Sequence, residues 1–120
     1  MDPHMTTAVT IKNITFQEGA TLICVPLIGQ TLDELQAHAR TLAEAGADLI
    51  EWRVDHFIRV HEQQQVLLAL TEIRRLLADM PLLFTFRSHK EGGETELADD
   101  AYFALNRLAV ASGLVDIIDI

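Results

Sequence analysis

The sequence is short of several things, and each shortage excludes something. A single cysteine, Cys24, stands in 120 residues, so no internal disulfide can form and a cytoplasmic location is expected. It sits in the apolar run from Leu22 to Leu27, where it is expected to act as a small buried hydrophobe. Basic residues are scarce too: 9 Lys plus Arg face 18 Asp plus Glu, a formal net charge of -9. Such a charge repels phosphate backbones and anionic lipid, so neither nucleic acid nor a membrane is expected as a partner. A small acidic metabolite stays compatible with it, because a few arginines gathered in one cleft make a local positive field. No apolar run approaches the roughly 20 residues of a bilayer-spanning helix.

Glycine-rich phosphate cradles are missing as well. The loop Lys90-Glu91-Gly92-Gly93-Glu94 lacks the Gly-x-Gly-x-x-Gly or Walker spacing, so nucleotide binding is not expected. His56 and His61 are not spaced as a metal pair on one helix and have no cysteine beside them; surface or capping roles are expected, with no metal and no cofactor. Met1-Asp2-Pro3-His4 has neither the basic nor the apolar region of a signal peptide. With Met5 a second initiator, residues 1–4 read as an expression remnant and residues 5–120 as the folded part.

What is present is 49% hydrophobic residues and a mean hydropathy of +0.18, enough for one core. A strand is expected over Leu22–Leu27, then a helix over Thr31–Ala45 opened by a Thr31/Glu34 capping box and stopped by Gly46. A second strand follows over Leu49–Val54. The next helix, over Glu62–Asp79, carries a stripe of Val66, Leu67, Leu70, Ile73, Leu76 and Leu77 and stops before Pro81. Leu82–Arg87 reads as a third strand, Ser88–Glu96 as a loop, and Asp99–Ala111 as a third helix turning Ala101, Leu105, Leu108 and Ala109 inward. Val115–Ile120 begins a fourth strand. Ahead of all this, Thr10–Phe16 and the Glu18-Gly19 turn suggest a short β-hairpin.

Alternating strands and helices imply an α/β fold with a parallel sheet, either a small open sheet or part of a barrel. In both, chemistry gathers at the carboxyl ends of the strands. Glu51, Arg53 and Asp55 alternate there and should share one side, with Arg87 at the end of the next strand as neighbour. The same alternation also suits an ordinary exposed strand face with surface ion pairs. Trp52 alternates with these charges and is expected in the core.

Three ordered segments carry a resemblance. Glu51-Trp52-Arg53-Val54-Asp55-His56-Phe57, Pro81-Leu82-Leu83-Phe84-Thr85-Phe86-Arg87 and Lys90-Glu91-Gly92-Gly93-Glu94 resemble the signature segments of type I 3-dehydroquinate dehydratase. Ala104-Leu105-Asn106-Arg107 and Val115–Ile120 resemble that family's next helix and strand. The resemblance implies a (β/α)8 barrel, of which this chain would be the N-terminal half preceded by the hairpin. It implies dehydration of 3-dehydroquinate to 3-dehydroshikimate, in the shikimate pathway, through a Schiff base between a lysine and the substrate ketone. The imine serves as electron sink while a histidine takes the neighbouring proton and the hydroxyl leaves as water. Glu51, Arg53 and Arg87 would contact substrate, and Glu91 would orient the histidine.

Two positions depart from the family. Pro26 stands where serine is common and Gln30 where lysine is frequent, so neither carries a role over. The family's lysine and histidine belong to strands beyond Ile120, and Lys12 and Lys90 do not match the lysine's context. The chain alone is therefore expected to be inactive. Exposed sheet edges would favour self-association into a homo-oligomer, a dimer of two halves. A complete small module binding an anionic metabolite is the third reading.

Overall fold

The computed structural model describes residues 8–11, 14–17, 22–88, 93 and 96–119. β1 (Ala8–Ile11) and β2 (Ile14–Gln17) pair antiparallel with Ile11 opposite Ile14. The hairpin thus reverses between those two residues, ahead of the Glu18-Gly19 pair expected to turn it. That pair, like residues 1–4, lies outside the described residues.

Four parallel strands follow, hydrogen-bonded in chain order: β3 (Cys24–Leu27), β4 (Leu49–Arg53), β5 (Leu82–Thr85) and β6 (Ile117–Asp119). The crossovers between them are α1 (Leu32–Ala43), α2 (Gln63–Leu77) and α3 (Asp99–Ser112), with α2 packed against both other helices. Parallel neighbours need such crossovers, and the α/β expectation holds in element order throughout. Leu27, Trp52, Phe84 and Ile118 form one row across the sheet, and the first three are fully buried. Trp52 lies edge-on to Phe84 with ring centres 5.6 Å apart, a core residue as expected. Side chains alternate along each strand. The rows Pro26–Glu51–Leu83–Ile117 and Arg53–Thr85–Asp119 therefore project from the opposite face.

Cys24 is on that opposite face as well, at the edge strand, and is exposed instead of buried. The apolar run suggested burial on both faces, but only one face carries helices. α1 is shorter than expected: Thr31 is its cap, its hydroxyl accepting from the Glu34 N–H at 3.2 Å, and Gly46 lies in the following turn at φ 74°. Glu34 Oε1 reaches back to the Gln30 N–H at 3.0 Å, one residue beyond the expected capping-box partner Thr31. In α2, Leu67 is exposed and Ala69 is buried instead. In α3, Ala101 is exposed and Asn106 takes a buried place beside Leu105 and Ala109, so the inward stripe is rotated from the expected one.

Two aspartates lock the amino-terminal ends of the strands. Asp48 Oδ2 accepts from the Ile23 N–H at 2.8 Å while its own N–H donates to the Ile23 carbonyl at 2.9 Å. Asp116 Oδ2 accepts from the Leu82 N–H at 2.9 Å and its N–H donates to the Leu82 carbonyl at 2.9 Å. A left-handed glycine precedes each aspartate, Gly46 at φ 74° and Gly113 at φ 72°. An acid follows three residues later, Glu51 and Asp119. The β3–α1–β4 and β5–α3–β6 units thus share the same aspartate clamp at the start of their strands.

Candidate functional site

β4 ends at Arg53, and one 3-10 turn, Val54–His56, carries the chain away from the sheet. Asp55 was expected to continue the strand in line with Glu51 and Arg53. The turn instead brings its carboxylate onto the Arg53 guanidinium: Nε donates to Oδ1 at 2.9 Å and Nη2 to Oδ2 at 2.8 Å. The Asp55 side chain is wholly buried and that of Arg53 nearly so. Oδ1 also accepts from the backbone N–H of Arg87 at 3.3 Å, tying the end of β5 to the end of β4. His56 Nε2 stands 3.8 Å from Asp55 Oδ2, so this histidine borders the site.

The Arg87 guanidinium is about half exposed and turns toward β6, with Nη2 3.7 Å from Asp119 Oδ2. Glu51 is half buried on the same face as Arg53. The structure thus gathers Glu51, Arg53 and Arg87 at the carboxyl ends of adjacent strands. Asp119 and Thr85 join them in the row with Arg53, and sequence reasoning singled out neither. Alternation along the last strand was the signal for Asp119. Thr85 is fully buried, and its Oγ1 has no hydrogen-bond partner among the described residues.

Past Arg87 the chain folds back on itself. The Gly93 N–H donates to the Ser88 carbonyl at 2.7 Å, and a Cβ at Gly93 would collide with the Arg87 carbonyl oxygen, so only glycine fits this approach. His89, Lys90 and Glu91 lie outside the described residues, and so does the orienting role expected of Glu91. Partial desolvation, and then the charge of Glu51, push the Cys24 thiol above its ordinary value of 9.0. Among the described residues no group of three or more His, Cys, Asp or Glu side chains could hold a metal ion. No helix among them is long and apolar enough to cross a membrane.

A guanidinium fixed by a buried carboxylate, with a second, half-exposed arginine and further acids beside it, can hold a carboxylate and orient hydroxyls. Strand ends carrying such groups on a parallel sheet define an α/β protein whose polar cluster stands at the carboxyl ends of its strands, where such folds place their chemistry.

The chain belongs to the type I 3-dehydroquinase family, whose profile matches residues 23–120. It is 72% identical over 116 residues to 3-dehydroquinate dehydratase of Klebsiella pneumoniae subsp. pneumoniae, covering 97% of this chain and 46% of that protein. With the enzyme of the same name from Listeria monocytogenes serotype 4a it shares 47% over 112 residues, 93% of this chain and 44% of the relative. The crystal structure of type I 3-dehydroquinate dehydratase from Clostridium difficile with covalently modified comenic acid superposes with a TM-score of 0.93. Identity there is 46%, over 97% of this chain and 46% of that one. The Geobacillus kaustophilus 3-dehydroquinate dehydratase gives 0.90 at 30% identity, over 95% and 45%. The chain spans about half the length of the curated relatives it matches. Its four-stranded sheet is accordingly about half of the barrel of that family.

Proposed function

We propose that this chain supplies the substrate-orienting part of a 3-dehydroquinate dehydratase site in the cytoplasm. The observation that carries the reading is the buried Asp55 carboxylate, which pairs with Arg53 at two points and binds the Arg87 backbone, setting two arginines at neighbouring strand ends. Arg53 and Arg87 meet the substrate carboxylate and hydroxyls, Glu51 accepts from a ring hydroxyl, and Glu91 orients a histidine. In the reaction a lysine amine adds to the substrate ketone and water leaves to form the imine. The histidine then removes a proton beside the imine carbon, and the β-hydroxyl departs as water once protonated. Hydrolysis of the imine releases product and restores the lysine. The chain's two lysines, Lys12 and Lys90, do not match the context of the family's lysine, and on this reading the chain binds substrate without forming the imine.

Calorimetric titration of the chain with 3-dehydroquinate tests the binding, and borohydride trapping tests the inactivity. Saturable binding lost in Arg53→Ala and Arg87→Ala, with no reduced adduct, is expected. Binding indifferent to both variants sinks the substrate reading, and a borohydride adduct on this chain sinks the inactivity.

A second reading is carried by the open edges of β3 and β6 in the four-stranded sheet: copies of the chain associate through those edges. Sedimentation velocity showing a monomer across a hundredfold range of concentration would end it.

A further inference from the structure

Three aspartates beside the sheet have their carboxylates engaged. Asp48 accepts from the Ile23 N–H, Asp116 from the Leu82 N–H and Arg74, and Asp55 from Arg53 and the Arg87 N–H. Asp119 differs from them. Its side chain is 44% exposed and accepts no hydrogen bond among the described residues; it faces the Arg87 guanidinium, itself 46% exposed, at 3.7 Å. That separation is beyond hydrogen-bond reach, and an ion pair so open to water holds weakly. The two arginines are therefore unequal: Arg53 is locked by Asp55 at two points, and the Arg87 guanidinium is only tethered.

The place of Asp119 gives the contact its meaning. Register sets it in one row with Arg53 and Thr85, on the face away from the helices. Neighbouring parallel strands stand about 4.8 Å apart, so Arg53 and Asp119 flank Thr85 across roughly 10 Å. A small ring bearing oxygens on both sides fits that span. Thr85 is wholly buried and its hydroxyl has no partner, so no hydrogen bond within the described chain accounts for a polar residue at the centre of the row. An anionic ligand oxygen that takes a guanidinium N–H at close range draws Arg87 from so weak a partner. The carboxylate left behind then needs a donor, and a ring hydroxyl is one. We infer that Asp119 is a further substrate-binding residue: Arg87 exchanges Asp119 for substrate oxygens, and a ring hydroxyl takes the place of Arg87 on Asp119. The inference rests on the reading that this chain holds the substrate-orienting part of a dehydratase site.

Calorimetric titration of the 120-residue chain with 3-dehydroquinate, beside urea unfolding of each variant, tests it. Asp119→Ala should weaken binding at least tenfold, and Asp119→Glu should recover most of the loss. The urea midpoints of both should match the parent chain, because the side chain is half exposed. In nitrogen-15 spectra of the arginine side chains, the Arg87 Nε–H signal, identified by its absence in Arg87→Lys, should shift on saturation with 3-dehydroquinate. Binding by Asp119→Ala as tight as the parent's, or tighter, overturns the inference, since Asp119 then only competes for Arg87. A loss of binding that comes with a lower urea midpoint marks a structural role and overturns it too, as does an Arg87 signal unmoved at saturation. A parent chain that does not bind 3-dehydroquinate sinks the substrate reading and the inference with it, whereas binding indifferent to Asp119 sinks the inference alone.

Discussion

Asp55 grips Arg53 with both carboxylate oxygens, at 2.9 and 2.8 Å, from a position two residues further along the chain. Side chains two residues apart on a strand stand roughly 6.6 Å apart, too far for a two-point pair. The 3-10 turn after β4 closes that gap, so the local backbone and the ion pair determine each other. The two residues differ in what their removal strands. Arg53→Ala leaves a wholly buried carboxylate without its main counter-charge, at a cost of about 3–5 kcal/mol. Asp55→Ala leaves a guanidinium already 17% exposed, which water can reach in part, and removes the acceptor of the Arg87 backbone N–H, at about 1–3 kcal/mol. Urea unfolding of both variants and of the double variant checks this. The double variant should be more stable than Arg53→Ala alone, and equal single effects would count against the account.

The clamp aspartates give a second contrast. Asp116 binds the Leu82 N–H and the Arg74 guanidinium at 2.9 Å each. Arg74 in turn donates to the carbonyls of Leu114, Ala78 and Met80. Its removal opens a part-buried network joining α2, β5 and the approach to β6, with an expected loss of about 3 kcal/mol in Arg74→Ala. Asp48 makes the equivalent backbone contact at an exposed edge, where Asp48→Ala should cost about 1 kcal/mol. Thermal melts of the two variants should separate clearly, with Arg74→Ala the lower.

The order of elements was legible in the sequence because each strand is a short branched apolar run and each helix has a stop residue. Glu51 and Arg53 could be placed on one face for the same reason, since strand alternation is a geometric certainty once the strand is recognised. Three things were not legible. The inward face of α3 is set by where β6 lies, so a polar Asn106 replaced Ala101 among its buried positions without any break in periodicity. The burial of Cys24 depended on which sheet face carries helices, and no local pattern states that. Asp55 reads as a strand residue until the turn that removes it from the strand is seen.

Ala78, just past α2, has φ 54° and ψ -118°, a region that a side chain disfavours and glycine accepts. The conformation is held from outside: its carbonyl accepts from Arg74 Nη1 at 2.8 Å, and Pro81 three residues on prevents the helix from continuing. Ala78→Gly should therefore stabilise the protein by about 1 kcal/mol, relief of strain exceeding the added freedom of the unfolded chain. A higher urea midpoint with an unchanged slope is the expected result, and a lower midpoint would show that the residue is unstrained.

Cys24 is the position where the site's charge can be read chemically. Desolvation is the larger influence on its thiol and the Glu51 carboxylate the smaller, and both raise its pKa from 9.0. Because the folded chain holds this proton more tightly than the unfolded one, the contribution to stability is complete below about pH 9. It is lost as pH rises through the folded value. Iodoacetamide alkylation followed by mass spectrometry across pH should show a midpoint above 9.0, despite the exposure of the residue. Glu51→Gln removes only the smaller influence, so the midpoint should fall toward 9.0 without passing below it. No movement on that substitution would mean that the Glu51 carboxylate does not act on the face it shares with Arg53.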